Sequence, residues 1–493
     1  MQKRALVVGL GIAGMSAAVG LRRAGWTPVI IERAPERRTG GYFINLTPEG
    51  MEAAGDLGLD TLHTRNPEHG TTWSLSRRGH RRPALGWLDL PGRPTAMVRG
   101  DVEAALWRQV RPHGDDGVEV RFATAPLRIV EDGAAVEVLL EDSSTGRRYR
   151  ESFDLVVGAD GLRSTVRKLA FGPPERFMTT WNAMICAFPL PEQAPSFGAQ
   201  DSLISARSGR AVWVFGLADR APTALLTYCT RDIDAQFTGD RTERLRAVFD
   251  DMDHPAVRHV LEALPTTTDC LFDSVHQVKM DRWNTGRVVL AGDAAWCLNL
   301  FSGMGTTAAL KGGAELGRVL TEHPQDLAAA LTEWEARLRP FITTHQRMAR
   351  LKHQWFVPTN RALVGVRALA LHLAVSARRT VTETRLLQAA APAARTASRI
   401  SHPPTAVSRS APSPPTCPPT PASTPSPASA PPSRWPCSST TPASPPTCHW
   451  PNCPQTRRVS SSTSRCSPPL CSPGLSSPGC GNAARERSST LPE

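Results

Sequence analysis

Consecutive apolar residues punctuate the first 300 positions at four places: Ala5–Val8, the strand pattern Thr27 to Ile31, Leu155–Val157 and Val288–Leu290. Runs apolar at every position, rather than every second one, suit strands buried on both faces of a parallel sheet. The first run leads into a helix of small residues, Met15 through Ala17 and Ala18 to Leu21. Between Lys168 and Trp283 the pattern changes to strands of mixed polarity, Trp181 to Phe188, Ala211 to Leu217 and Ala224 to Thr230. A helical pattern then runs from Arg241 to Leu264, and a strand from Asp269 to Val278 returns to the first unit. A second small-residue helix, Ala308 to Leu320, and helices that include Trp334 to Pro340 follow. The pattern predicts an α/β chain with a parallel sheet, an inserted antiparallel sheet and C-terminal helices.

The C-terminal stretch departs from this. After Ile400 there is no Ile, Phe, Met or Tyr, and residues 391–493 hold 24 of the 44 prolines. Such a segment cannot bury a core, and it is expected to form a disordered tail over 381–493. Its Pro, Ser, Thr, Ala, Arg and Cys content is also what a shifted reading frame of a GC-rich gene produces, which stands beside a genuine linker as the alternative origin. The tail changes how charge and cysteine are read. Of the net +12, residues 401–493 carry seven Arg against two acidic groups, and the remaining excess is spread without a block, so no nucleic-acid site is expected. Seven of the 11 cysteines lie in the tail, while Cys186, Cys229, Cys270 and Cys297 are isolated, without metal-ligand spacing. This suits a reducing, cytoplasmic compartment and predicts no metal. No apolar run reaches the ~18–20 residues of a membrane span. The closest, Ala362 to Ser376, is interrupted by Arg367 and His372 and reads as a helix packed on the domain.

Candidate chemistry begins where the first strand ends, at Gly9-Leu10-Gly11-Ile12-Ala13-Gly14. Gly9 permits a tight turn, Gly11 lets a diphosphate approach the backbone, and Gly14 allows close packing of helix on strand. The helix start offers N–H groups to the anion. The second strand ends at Glu32, 18 residues beyond Gly14, where a carboxylate can accept the ribose hydroxyls of an adenosine. This unit alone leaves FAD and NAD open. Two later strands of the same type end in Asp160-Gly161 and Gly292-Asp293, and in an open parallel sheet such turns converge beyond the carboxyl ends of the strands. After the second, Ser302-Gly303-Met304-Gly305-Thr306-Thr307 opens a helix whose N-terminus would stabilise negative charge on a reduced flavin.

With these motifs in this order, residues 4–350 resemble the aromatic-ring hydroxylase group of FAD-dependent monooxygenases, which includes p-hydroxybenzoate hydroxylase-like and tetracycline-inactivating enzymes. The resemblance rests on the glycine loop with Glu32-Arg33, Arg99 within Met97–Leu106, Asp160-Gly161 and Gly292-Asp293. It implies a Rossmann-type FAD-binding domain with an inserted antiparallel-sheet substrate domain, divided as 1–170, 171–280 and 281–380. It implies that Arg99 meets the diphosphate or ribose region of the cofactor, that Asp160 serves FAD and NAD(P)H, and that Asp293 holds a ribityl hydroxyl. The expected cofactor-binding set is Gly9, Gly11, Ala13, Gly14, Glu32, Arg33, Arg99, Asp160, Asp293, Gly303, Met304 and Gly305. The expected activity is NAD(P)H- and O2-dependent hydroxylation of a small aromatic or polyketide-like substrate through a flavin C4a-hydroperoxide. The flavin carries that chemistry, so no catalytic side chain is assigned. The sequence departs from the family at Trp296 and Asn299-Leu300, where relatives place His and then Pro-Pro. Two alternatives stay open, a related reductase that inserts no oxygen and a degenerate FAD-binding protein, the second kept alive by that departure and by the aberrant tail. A halogenase is disfavoured, because no Trp-x-Trp-x-Ile-Pro element occurs.

Overall fold

The four apolar runs lie side by side. In the computed structural model they form an all-parallel sheet in the order Val288–Leu290, Leu155–Gly158, Arg4–Val8, Thr27–Ile31, completed at its edge by Glu119–Arg121. The structure describes residues 2–370 apart from 77–78, 90–91, 93, 112–116, 268, 361 and 368, so the expected tail and its origin lie outside the described residues. Leu6, Val7, Ile30, Leu155 and Val156 have no solvent exposure, as strands covered on both faces require. One cover is the helix Ile12–Arg23, which packs against Gly305–Glu322. A Cβ on Gly313 would lie 2.3 Å from the Ser16 carbonyl carbon, and one on Gly20 would lie 2.2 Å from the Gly313 oxygen. Backbone contact this close explains the small residues of both helices.

The inserted sheet has seven strands, in the order Leu271–Val278, Met178–Pro189, Thr223–Cys229, Arg210–Phe215, Ser202–Arg207, Thr72–Leu75 and Arg81–Pro83. The last two come from the first 100 residues, and Thr72–Leu75 joins in parallel. One face, with Met184, Cys186 and Leu226, packs on helices Arg241–Phe249 and Pro255–Ala263. The opposite face carries Ile185, Ala187, Phe215 and Leu225. The single helical pattern expected over 241–264 is thus two helices. Pro255 opens the second, and His254 Nδ1 accepts from Ala256 N at 3.1 Å, a start signal that ends any continuous helix. Two further sheets complete the described part: Phe43–Leu46 with Thr95–Val98, and the antiparallel set Thr124–Glu131, Val136–Asp142 and Arg147–Phe153.

The long helix Leu327–Phe356 runs back across the molecule. Its buried Gln346 donates to the carbonyls of Val278 and Trp296, fixing it beside the segment that follows strand Val288–Leu290. The segment expected as a helix from Ala362 is helical at 362–367 and 369–370, with the rest outside the described residues. No described helix is long and apolar enough to cross a membrane.

Arg65, 5% exposed, fastens the loop after the seven-stranded sheet's fourth strand to the start of helix Arg99–Val110. Its guanidinium pairs with Asp101, 2.5 Å from Nε, and with Asp219, while its carbonyl accepts from Ala218 N. Arg65→Ala is expected to cost about 1.5–3 kcal/mol, the range for charge-assisted hydrogen bonds. Arg65 holds the Asp219 carboxyl below its ordinary value, so this contribution is present at neutral pH and lost as pH falls through the lowered value. Urea unfolding at pH 7 and in acid below the ordinary carboxylate range checks both points: the difference between wild type and Arg65→Ala should shrink in that acid.

Candidate functional site

Three backbone turns meet at one cavity of about 360 Å³ beyond the carboxyl ends of the parallel strands. The glycine loop supplies Gly11, Ile12 and Ala13, the loop after Leu155–Gly158 supplies Ala159, Gly161 and Leu162, and the segment after Val288–Leu290 supplies Asp293, Asn299, Gly303 and Gly305. Gly292 makes the approach possible: at φ +62, a Cβ there would lie 2.5 Å from the Ala13 Cβ.

The glycines of the first turn divide by function. A Cβ on Gly14 would fall 1.9 Å from the Gly9 oxygen, and one on Gly9, at φ +107, would fall 2.6 Å from the Ala159 oxygen. Those two are required by the backbone itself. Gly11 has an ordinary φ of −77°, and no atom lies within 4 Å of its would-be Cβ, which would point into open space at the cavity wall. Gly305 is the same, at the start of a helix with no side-chain cap. Two uncapped helix starts, Ile12–Arg23 and Gly305–Glu322, therefore present first-turn N–H groups at one cavity.

Asp293 supplies the acceptor. It is the first residue of helix Asp293–Trp296, and the N-cap is Gly292, so the carboxylate is not the cap. Its side chain is open to the cavity yet deep among protein atoms, and burial raises its pKa against the opposing hydrogen bond with Cys297 and the weaker pull of Arg99. Arg99 also lines the cavity and pairs with Glu103 at 2.7 Å. Burial likewise pushes up the pKa values of Glu103 and of Tyr42, whose phenol lies near Arg99 and Asp293.

Other expected residues stand behind the wall. The Glu32 oxygens accept from Leu10 N and Ala34 N, both at 2.9 Å, bracing the glycine loop, and Arg33 is exposed. The Asp160 carboxylate turns into its own helix, accepting from Ser164 Oγ, Thr165 N and Val166 N at 2.5, 2.6 and 3.1 Å. Buried Arg167 then ties that turn to the Asp293 helix by donating to the Leu162 and Ala294 carbonyls. Met304 is buried beneath the loop, with its N–H bonded to Ser302 Oγ. Thus Gly11, Ala13, Arg99, Asp293, Gly303 and Gly305 line the cavity, while Gly9, Gly14, Glu32, Arg33, Asp160 and Met304 do not.

The two departures from the family pattern have different fates. Trp296 is fully buried with Trp283 and Trp334, at ring-centre separations of 4.6 and 5.6 Å, and belongs to the core. Asn299 lines the cavity at φ +65, a conformation closed to proline, and its Nδ2 is buried without a hydrogen-bond partner. Lys352 holds this loop by donating to the Ser302 carbonyl at 2.7 Å.

Opposite these turns the wall is largely apolar, with Asp273, Ser274 and His276 of strand Leu271–Val278 forming a polar margin. Ile185, Ala187, Phe215 and Leu225 come from the seven-stranded sheet, and Phe43, Trp87 and Phe356 close the sides. Phe43 and Phe215 stack at 4.2 Å, and Trp87 meets Phe356 at 5.4 Å. The motifs did not identify Tyr42, Trp87 or Phe356, and marked Asn299 only as a departure from the pattern. Only Asn299, next to a glycine-rich segment, carried a local signal, since Asn tolerates positive φ.

An FAD-shaped dinucleotide fits this arrangement on three structural grounds: the open faces of Gly11 and Gly305, the deep but accessible Asp293 carboxylate, and the unpartnered Nδ2 of Asn299. Comparison with known proteins agrees. The model of the FAD binding domain family matches residues 2–342. A protein of Mycobacterium tuberculosis, strain H37Rv, described as uncharacterized, is 29% identical over 375 residues, covering 73% of this chain and 93% of that protein. A flavin-dependent monooxygenase of an unknown prokaryotic organism is 24% identical over 349 residues, 69% of this chain and 86% of its own length. The solved tetracycline destructase Tet(51) shares the fold, with a TM-score of 0.62 and 24% identity over 75% of this chain and 96% of that one.

Proposed function

The chain belongs to the FAD binding domain family, and from that premise we propose that it is an NAD(P)H-dependent flavoprotein monooxygenase that hydroxylates a small aromatic or polyketide-like molecule. One observation carries the reading: a single cavity joins the polar turns of the parallel sheet to an aromatic-lined wall of the inserted sheet. Relatives named as flavin-dependent monooxygenases support it.

Gly11 and the first turn of Ile12–Arg23 would hold the diphosphate, Arg99 would meet the neighbouring ribose or phosphate, and Asp293 would accept from the ribityl chain. Gly303, Gly305 and the start of Gly305–Glu322 would face the carbonyl edge of the flavin, where N–H groups favour added negative charge. When bound, FAD would supply the redox chemistry that couples NAD(P)H oxidation to O2 activation, with one oxygen atom entering the substrate and the other leaving as water. The protein's part is to position and to keep water out. Phe43, Trp87, Phe215 and Phe356 offer flat apolar surface to an aromatic ring, and Ile185, Ala187 and Leu225 close the sheet side.

NAD(P)H consumption under 18O2, with a panel of neutral phenols, tests the proposal. One 18O atom per product and one nucleotide consumed per product are expected. A reduced product without 18O would replace it with the reductase reading, and FAD-loaded protein that oxidises no nucleotide with any panel member would replace it with a binding role.

A further inference from the structure

Cys186 lies within the strand Met178–Pro189 and has no solvent exposure, whereas Cys270, just before the strand Leu271–Val278, is half-buried. Their Sγ atoms are 3.4 Å apart. The register pairs Cys186 with Phe272 and Ala187 with Leu271, so the two cysteines are diagonal neighbours on one face of the sheet. Closing to the ~2.05 Å of a disulfide requires a modest rotation and a small movement of Cys270, which precedes the strand.

We propose that Cys186 and Cys270 form a redox-active dithiol that hydrogen peroxide converts into an intrachain disulfide. Cys270 is the reacting thiol, because it is the accessible one. Its pKa is lowered by the bond from the Cys186 thiol and by nearby Arg241, while Cys186 stays protonated. The Cys270 thiolate attacks peroxide, the O–O bond breaks, and with one proton the products are a sulfenic acid and water. The Cys186 sulfur then displaces that hydroxyl as a second water, forming the S–S bond. Two thiols lose two electrons and two protons, and one peroxide is reduced to two waters.

The location gives the bond a consequence. Asp269, beside Cys270, accepts from Gly41 N at 2.7 Å, and Gly41 precedes the cavity residue Tyr42; Leu271, on the other side of Cys270, lines the same cavity. Drawing Cys270 toward Cys186 acts on both. The inference goes beyond the proposed activity and does not depend on it.

Peptide mapping of the full-length, FAD-loaded protein after graded peroxide tests it, with exposed Cys229 as the internal reference. Trypsin releases residues 177–207 and 259–279, each holding one of the two cysteines and no other. A dithiothreitol-sensitive cross-link of these peptides is expected at peroxide levels that leave Cys229 reduced. In Cys186→Ser the cross-link should vanish, and Cys270 should instead be trapped by dimedone. Oxidation of Cys229 while both peptides remain reduced overturns the proposal, as does a Cys270 in Cys186→Ser no more reactive toward peroxide than Cys229.

Discussion

Gly11→Val should give a folded protein that does not hold FAD. The position has an ordinary φ, and an added Cβ meets nothing within 4 Å, so the apo fold has room for the side chain. The cost to the fold is that of changing a glycine N-cap, about 1 kcal/mol or less. The branched side chain, however, would occupy the cavity where the first turn of Ile12–Arg23 would face the diphosphate of the proposed cofactor. Loss of that contact should weaken FAD binding by more than about a hundredfold, equivalent to ~2.7 kcal/mol. Gly14→Ala is the contrasting variant. Its single methyl would stand 1.9 Å from the Gly9 oxygen, so the loop itself must open and soluble, folded protein should be scarce. Released flavin per chain and the melting curve of apo-protein distinguish the two. A Gly11→Val protein with a full complement of FAD would remove the cofactor from this turn.

That contrast shows what could be read in advance and what could not. Strands such as Leu155–Gly158 and Val288–Leu290 are continuous apolar runs, because both faces are buried, and short-range pattern suffices to find them. Arg81–Pro83 is wholly exposed at a sheet edge, without apolar alternation, and only its partner Thr72–Leu75 defines it. Nothing local could assign those two strands to a sheet built mainly from residues 178–278. The turn motifs were legible as turns, but the direction of each side chain was set by competition for hydrogen bonds. Asp160 finds three donors in its own helix start, Ser164 among them, and turns away from the cavity. Asp293 follows a glycine that already serves as N-cap and is left facing it. The aromatic wall was the least legible part. Phe43, Trp87, Phe215 and Phe356 come from four separated segments, and tertiary packing alone makes them one surface.

Asp293→Asn should separate binding from folding more sharply than any other substitution at the cavity. The ionised carboxylate lies deep in the protein, and burial raises its pKa, so ionisation there opposes folding of the apo-protein. With the folded value above the unfolded one of about 3.9, stability is greatest in acid and is lost as pH rises from the unfolded value through the raised folded value. Replacing the acid by a neutral amide removes that loss. Apo Asp293→Asn should therefore be at least as stable as wild type at pH 7, and the two should converge in acid. No helix cap is sacrificed, because Gly292 holds that position. FAD affinity should move the other way. A charge-assisted hydrogen bond from the ribityl chain is worth about 1.5–3 kcal/mol, or roughly ten- to more than a hundredfold in Kd, and Asp293→Ala should lose that full amount. Titrating apo-protein with FAD beside unfolding curves at two pH values reads both effects. Unchanged FAD affinity with lowered stability would make Asp293 a purely structural residue, and the ribityl contact would have to be sought at the unpartnered Nδ2 of Asn299 instead.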